Sequence, residues 1–213
     1  MLVYYGGEDT VTKLIAKRLI KYVAESDGRI ELELEDANPR DHGTKALDNL
    51  NLMIRLSRTT PVICVFDSDG KCVVEILRKY APDGWKNDKL AINIAVDEGE
   101  TWLMADAKNF ARYFGLKRAS VPVKHVNSLE LSESIPYKTS LYFLRELVPQ
   151  SKKYRVIESL TCLRPGKKPP TYNNLWPDFI ENHWDINEAI KNSNSLQRAV
   201  RRVQTALKMD TQQ

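Results

Sequence analysis

The 213 residues comprise 42% hydrophobic and 28% charged side chains, a balance that excludes wholesale disorder and suits one core domain with a helical extension. No apolar stretch is long enough to cross a bilayer, and the chain opens on strand-like Leu2–Tyr5 without a leader pattern, so a cytoplasmic protein is expected. The net charge of +4 divides unevenly: residues 1–136 hold 19 Lys and Arg against 21 Asp and Glu, a net of −2, while residues 137–213 hold 13 against 7, a net of +6.

The first predicted strand, residues 2–5, breaks at Gly6-Gly7 and gives way to a helix over about 8–23, with Leu14, Ile15, Leu19, Tyr22 and Val23 at helical spacing. Residues 29–35 alternate strictly, Arg-Ile-Glu-Leu-Glu-Leu-Glu, as an edge strand with one wet face does. A loop at 36–43 leads to a second helix, roughly 44–57. Pro61-Val-Ile-Cys-Val-Phe66 is the most apolar short run and reads as a buried parallel strand. A helix near 71–81, a strand at 90–96 and an aromatic-rich helix at about 99–113 follow. Alternating strands and helices predict an α/β fold with a mostly parallel sheet covered on both faces.

Beyond residue 115 the pattern changes. Residues 116–136 read as irregular, and four helical segments follow at 138–149, 152–162, 177–191 and 194–208. Prolines and glycine in the run Leu163–Tyr172 forbid regular structure there. The expected division is therefore a core over 1–115 and a basic helical extension over 116–213. Cys64, Cys72 and Cys162 have no paired ligand spacing, and His42, His125 and His183 are scattered. No nucleophile elbow or glycine-rich nucleotide loop occurs, so any ATPase activity must belong to a separate chain.

Three acidic groups share one topological position. Glu8 and Asp9 follow the first strand, Asp67 and Asp69 the third, and Asp97, Glu98 and Glu100 the fourth. Parallel strands bring all three to one edge of the sheet, where open α/β sheets bind ligands. Acids at strand-to-helix junctions also cap helices, and capping is the reading adopted for Asp9 and Asp97. The remaining density exceeds what caps require, and crowded carboxylates repel unless a cation neutralises them. Were 67–69 extended, Asp67 and Asp69 would project to one side and face a common hard cation.

The Gly-Gly-Glu turn at 6–8 and the Asp-Ser-Asp at 67–69 resemble the Toprim domain of topoisomerases, primases and OLD-type nucleases. Asp97-Glu-Gly-Glu-Thr-Trp-Leu-Met-Ala-Asp106 is similar to the Glu-x-Glu-x-Trp-Leu-x-Ala-Asp signature of small stand-alone Toprim-like proteins, often encoded beside ATPases. Ile135-Pro-Tyr-Lys-Thr-Ser-Leu141 resembles their Pro-Lys-x-x-Leu segment, with Tyr137 inserted. The resemblance implies a Toprim-like, Rossmann-like core and magnesium or manganese, one or two ions, bound by Glu8, Asp67, Asp69, Glu98 and Glu100. It implies catalytic roles for Glu8, Asp67, Asp69 and Glu100, with Lys138 steadying charge on a phosphate. Thr12 stands where OLD-type proteins often carry a second acid.

Two divalent ions about 3.5–4 Å apart hydrolyse phosphodiesters without a protein nucleophile. The expected activity is therefore a metal-dependent nuclease acting on DNA or RNA, an effector governed by a partner ATPase in a defence or toxin-like system, with a homo-oligomer as a further candidate assembly. Lys167 and Lys168, with Tyr172 and Trp176 for stacking, and Arg198, Arg201 and Arg202 on the last helix are candidate nucleic-acid contacts, against the plainer readings of a surface loop and a solvated helix face. Alternatives are a non-catalytic regulatory subunit of an ATPase complex and a haloacid-dehalogenase-type phosphatase. A nucleotide-sugar transferase would want a larger acceptor domain.

Overall fold

Four parallel strands, β1 (Leu2–Gly7), β2 (Glu33–Asp36), β3 (Val62–Asp67) and β4 (Leu90–Ala95), form one sheet in the order β2-β1-β3-β4 in the computed structural model, which describes residues 1–28, 31–38, 50–80, 87–131, 135–161 and 167–208. β3 and β4 are central and lateral strands of almost purely apolar sequence, and every residue of β4 is buried. β2 alternates exposed and half-buried residues, as its sequence predicts for an edge. The fold class is α/β with a Rossmann-like parallel sheet.

Helix α1 (Thr10–Ser26) packs on β1 and β3, burying Val11, Ile15, Ala16, Leu19, Ile20 and Val23. On the opposite face Val62, Cys64 and Phe66 of β3 and Leu90, Ile92 and Ile94 of β4 form a cluster with Met53 of α2 (Leu50–Leu56) and Ile76 of α3 (Val73–Tyr80). Alternation along β3 and β4 sorts side chains between the two faces. The helix expected at 44–57 is described only over Leu50–Leu56, since residues 39–49, with His42, lie outside the described residues. So do Arg29 and Ile30 at the start of the second expected strand.

The chain folds as two units. The first comprises Met1–Gly99 with the chain from Gln197 onward, and the second Glu100–Leu196. The sequence reading places its division at 115 and leaves the whole C-terminal part to the extension. From Gln197 onward the final helix instead belongs to the first unit; its residues Ala199, Val200, Val203, Ala206 and Leu207 are buried while Arg198, Arg201 and Arg202 are exposed.

The second unit is built on aromatic packing. The helix expected over 99–113 is two helices, α4 (Gly99–Ala105) and α5 (Ala107–Phe114), because Asp106 leaves helical geometry at φ −82° and ψ 65° and its side chain caps α5. Phe110 and Phe114 of α5 meet Phe143, Trp176 and Phe179 at ring-centroid distances of 4.7–6.4 Å. Those partners come from α6 (Thr139–Tyr142), which runs on as a π-turn over Phe143–Leu147, and from α8 (Trp176–Asp178), which continues over Phe179–His183. α7 (Tyr154–Leu160) lies between them in sequence; α9 (Ile186–Ala189) and α10 (Asn194–Lys208) follow. Among the described residues no helix is long and apolar enough to cross a membrane.

Candidate functional site

The strand order sets where a ligand would enter. From β1 the chain crosses to β2 on one side, then returns past β1 to β3 and on to β4. Neighbouring strands β1 and β3 are therefore left by connections running in opposite directions, and their carboxyl ends flank a crevice of the kind that binds ligands in open α/β sheets.

Glu8, directly after β1, and Asp67, the last residue of β3, meet at that crevice. The Asp67 main-chain N–H donates to Glu8 Oε1 at 2.5 Å, and the Gly99 N–H donates to Asp67 Oδ1 at 2.8 Å. Residues following β1, β3 and β4 are thus stitched together, although as many as 91 positions separate Glu8 from Gly99 in the chain. Glu8 and Glu98 are buried, 8% and 3% exposed.

The turn geometry needs glycine at two points. A Cβ on Gly7 would sit 2.6 Å from Thr12 Oγ1 and 2.8 Å from the Lys13 main-chain nitrogen, so β1 enters α1 through a contact that only hydrogen permits. A Cβ on Gly99 would lie 2.8 Å from Ile15 Cδ1. Both glycines bring backbone close to α1 and so fix the carboxylates beside them.

Asp9 is the cap of α1, as expected: its Oδ1 accepts the Thr12 N–H at 2.8 Å and the Thr12 hydroxyl accepts the Asp9 N–H at 3.0 Å, a reciprocal capping box. Thr12, which stands where a second acid was sought, thereby has a structural use. Asp97 also contributes through its backbone. Its N–H donates to Ser68 Oγ and its carbonyl accepts the Asp69 N–H, locking the β3 and β4 exits together.

Asp69 departs from the expected geometry. The chain is not extended beyond Asp67: Asp69 is exposed, with φ 51°, and Gly70 follows at φ 74°. Two successive left-handed residues turn the chain sharply, so the two-residue alternation that would aim Asp67 and Asp69 to one side does not apply. Asp-Gly after a strand signalled a turn, and the turn begins one residue earlier than the alternation argument assumed.

Sequence reasoning missed the other half of this edge. Lys13 Nζ donates to Asp36 Oδ2 at 2.9 Å and to the Asn38 carbonyl at 2.7 Å, while Asn38 Nδ2 donates to the Gly7 carbonyl at 2.8 Å. These contacts hold the Gly6-Gly7 turn from the β2 side. The available signal was the position of Asp36 and Asn38 at the carboxyl end of β2, the same edge as the acids.

In the second unit the residues of the acidic signature have partners of a different kind. Glu100, 1% exposed, accepts from the Tyr172 hydroxyl at 2.6 Å and from Lys168 Nζ at 3.2 Å. A predicted metal ligand and a predicted nucleic-acid contact are thus paired with one another. Thr101 and Thr139 share a hydroxyl contact at 3.0 Å; the latter follows exposed Lys138. Trp102 Nε1 donates to Ser195 Oγ at 2.7 Å, and that hydroxyl donates to Glu130 at 2.8 Å.

Asp106 accepts the Asp185 N–H and the Asn109 side-chain N–H, each at 2.8 Å, and the Asn109 main-chain N–H at 3.3 Å. Burial raises its pKa above the ordinary aspartate value, opposed by those three donors. Trp102 and Trp176 are core aromatics, 0% and 1% exposed. Tyr172 is 2% exposed, so the stacking role proposed for Tyr172 and Trp176 is corrected: both rings are spent on the interior, 5.5 Å apart.

Cys64 is buried in β3, where desolvation and then the Asp36 charge push its thiol pKa upward, and Cys72 is exposed; Cys162 lies outside the described residues. Among the described residues no group of three or more His, Cys, Asp or Glu is placed to hold a metal ion. Lys167 is exposed and Lys168 is about one-third exposed. Comparison with protein-family models, with curated proteins and with solved structures finds no match to this chain.

Proposed function

We propose that this protein is a Toprim-like, metal-dependent nuclease that hydrolyses phosphodiester bonds of DNA or RNA, working in the cytoplasm under the control of a partner ATPase. The observation that carries the reading is the junction at the β1/β3 crevice, where two acids of distant sequence meet through the Asp67 amide. Two acids brought to one sheet edge are candidate ligands for a cation, which would offset their mutual repulsion.

The donor set suits magnesium or manganese bound through one or two carboxylates, with water and substrate phosphate completing the shell. Among the described residues no group of three or more His, Cys, Asp or Glu forms an all-protein cage. Glu8 and Asp67 would hold the ion, and Glu98 is the next acid on the same edge. A bound divalent ion would supply Lewis acidity and an activated water. The chain's own part is to orient: the Asp67 and Gly99 amides fix the Glu8 and Asp67 carboxylates, and the Ser68–Asp97 clamp holds the exits of β3 and β4 in register. Arg198, Arg201 and Arg202 supply phosphate contacts from one exposed helix face.

The test incubates purified protein with plasmid, single-stranded DNA and transfer RNA in magnesium or manganese, comparing wild type with Asp67→Ala. Metal-dependent cutting that disappears in the variant supports the reading. A second reading, a non-catalytic subunit of an ATPase complex, draws on the exposed left-handed Asp69 and the commitment of Glu100 to Lys168 and Tyr172. Release of phosphate from small phosphoesters would instead favour a phosphatase, and absence of cutting with or without an ATPase partner would favour the binding subunit.

A further inference from the structure

The second unit contains a cavity of about 640 Å³ between the end of α7 and the segment 167–171. That volume lies within the range of small-molecule sites, roughly 300–1,000 Å³. The Thr171 hydroxyl donates to the Ser159 carbonyl and ties the two walls together. Among the described residues, Lys167 and Lys168 line the cavity with one acid, Glu158. Pro169 and Pro170 add a wall without donors, and the Thr161 hydroxyl lies at the helix end.

Each part selects a piece of ligand. Two lysines among the lining residues call for an anion of the phosphate type, because an ammonium is a point donor that satisfies several oxygens at once. Inorganic phosphate would leave most of 640 Å³ unfilled. The proline wall takes the face of a flat ring, and the Glu158 carboxylate accepts from hydroxyl or amine donors on the organic part. A nucleoside phosphate combines all three.

Lys168 gives this cavity a connection to the acidic signature. Its Nζ stands 3.2 Å from Glu100 Oε1 and 4.7 Å from the centre of the Tyr172 ring, while the side chain remains about one-third exposed. We propose that the cavity binds a nucleoside phosphate, free or at the end of a strand, and that the phosphate competes with Glu100 for Lys168. The Glu100 carboxylate would then give up its Lys168 partner while keeping the Tyr172 hydroxyl. The cavity assignment is independent of the cleavage reading; the significance of releasing Glu100 rests on it.

The experiment titrates adenosine monophosphate into the full-length protein in EDTA by calorimetry, so neither metal nor cleavage is required. Saturable binding is expected, weakened about tenfold by Lys167→Ala, the loss of one charged hydrogen bond. Lys108→Ala, a charge-matched change on α5, should leave it unaltered. Glu100→Gln, which removes the competing charge but keeps an acceptor for Tyr172, should tighten binding severalfold; thermal melts of each variant check that it is folded. Tighter binding of a 5′-phosphorylated oligonucleotide than of the monophosphate identifies the strand end as the source, and the reverse order a free nucleotide. No binding up to millimolar concentrations, equal affinity for ribose 5-phosphate, indifference to Lys167→Ala, or weaker binding in Glu100→Gln overturns the proposal. Binding without any nuclease activity would retain the cavity and discard the cleavage reading.

Discussion

At the β1/β3 crevice of the first unit main-chain amides donate to the carboxylates, Asp67 N–H to Glu8 and Gly99 N–H to Asp67, while on the β2 side the Lys13 ammonium pairs with Asp36. In the second, Glu100 has an ammonium and a phenol, and Glu130 receives two serine hydroxyls, Ser193 and Ser195. Amides orient a carboxylate without cancelling its charge, whereas a lysine neutralises it. The division passes through one short run of sequence. Glu98 stays with the sheet edge, and two residues later Glu100, in the first turn of α4, is the first of the polar side chains that brace the second unit. The acid-rich motif thus divides between the sheet edge at one end and the packing of the second unit at the other.

The cores differ in the same spirit. Aliphatic residues on two faces of a sheet make the first unit, and an array of rings around Phe114 makes the second. The largest expected effect therefore comes from Phe114→Ala, which should lower stability by about 3–5 kcal/mol, measured by urea unfolding. If the two units are separate cooperative blocks, the loss concentrates in one transition of a hydrogen-exchange experiment, and residues of β1 and β3 keep their protection. Uniform loss across both units would remove the contrast drawn between them.

Glu8→Gln separates charge from architecture at the crevice. The amide oxygen of glutamine still accepts the Asp67 N–H, so the melting temperature should shift by only a few degrees. Cleavage should fall by at least about a hundredfold, or 2.7 kcal/mol, if the carboxylate is needed for an ion. Full activity in Glu8→Gln would place that residue with the braces, not the chemistry.

Asp106 tests the opposite case, an acid within the signature assigned to structure. Asp106→Ala leaves the Asp185 amide and the Asn109 donors without their acceptor, a cost of about 1–3 kcal/mol. Its folded-state pKa lies above the ordinary value of 3.8, so the native protein binds the proton more tightly than the unfolded chain. The stability linked to this group is present below about 3.8 and is lost as pH rises through the folded value. Asp106→Asn should flatten that fall. A wild-type curve rising with pH across the same window, relative to the Asn variant, would reverse the sign argued here.

How much of this could be read from sequence depends on what each residue's role requires. The parallel sheet was legible because Val62–Phe66 and Leu90–Ala95 are continuous apolar runs, and carboxyl-edge convergence followed from alternation of strands and helices. The capping role of Asp9 was legible because its partner Thr12 lies three residues away. Asp69 was not, since its position depends on two left-handed residues that the i, i+2 rule cannot anticipate. Nor were the partners of Glu100 and Trp102: Tyr172 is 72 and Ser195 is 93 residues distant in sequence. Long-range polar pairs leave no periodic trace.

The smallest expected effect concerns the charged face of α10. Arg198, Arg201 and Arg202 are exposed while the opposite side of the helix is buried, so removal of one guanidinium should leave folding nearly untouched. On the nucleic-acid reading, each phosphate contact contributes a slope of about −0.9 for duplex DNA in log affinity against log salt. Arg201→Ala should therefore make that slope shallower by about one and weaken binding alike for unrelated sequences, as measured by fluorescence anisotropy from 50 to 200 mM salt. An unchanged slope would assign the arginines to solvation of a packed helix, and the search for the strand's path would move to Lys138 and Lys167.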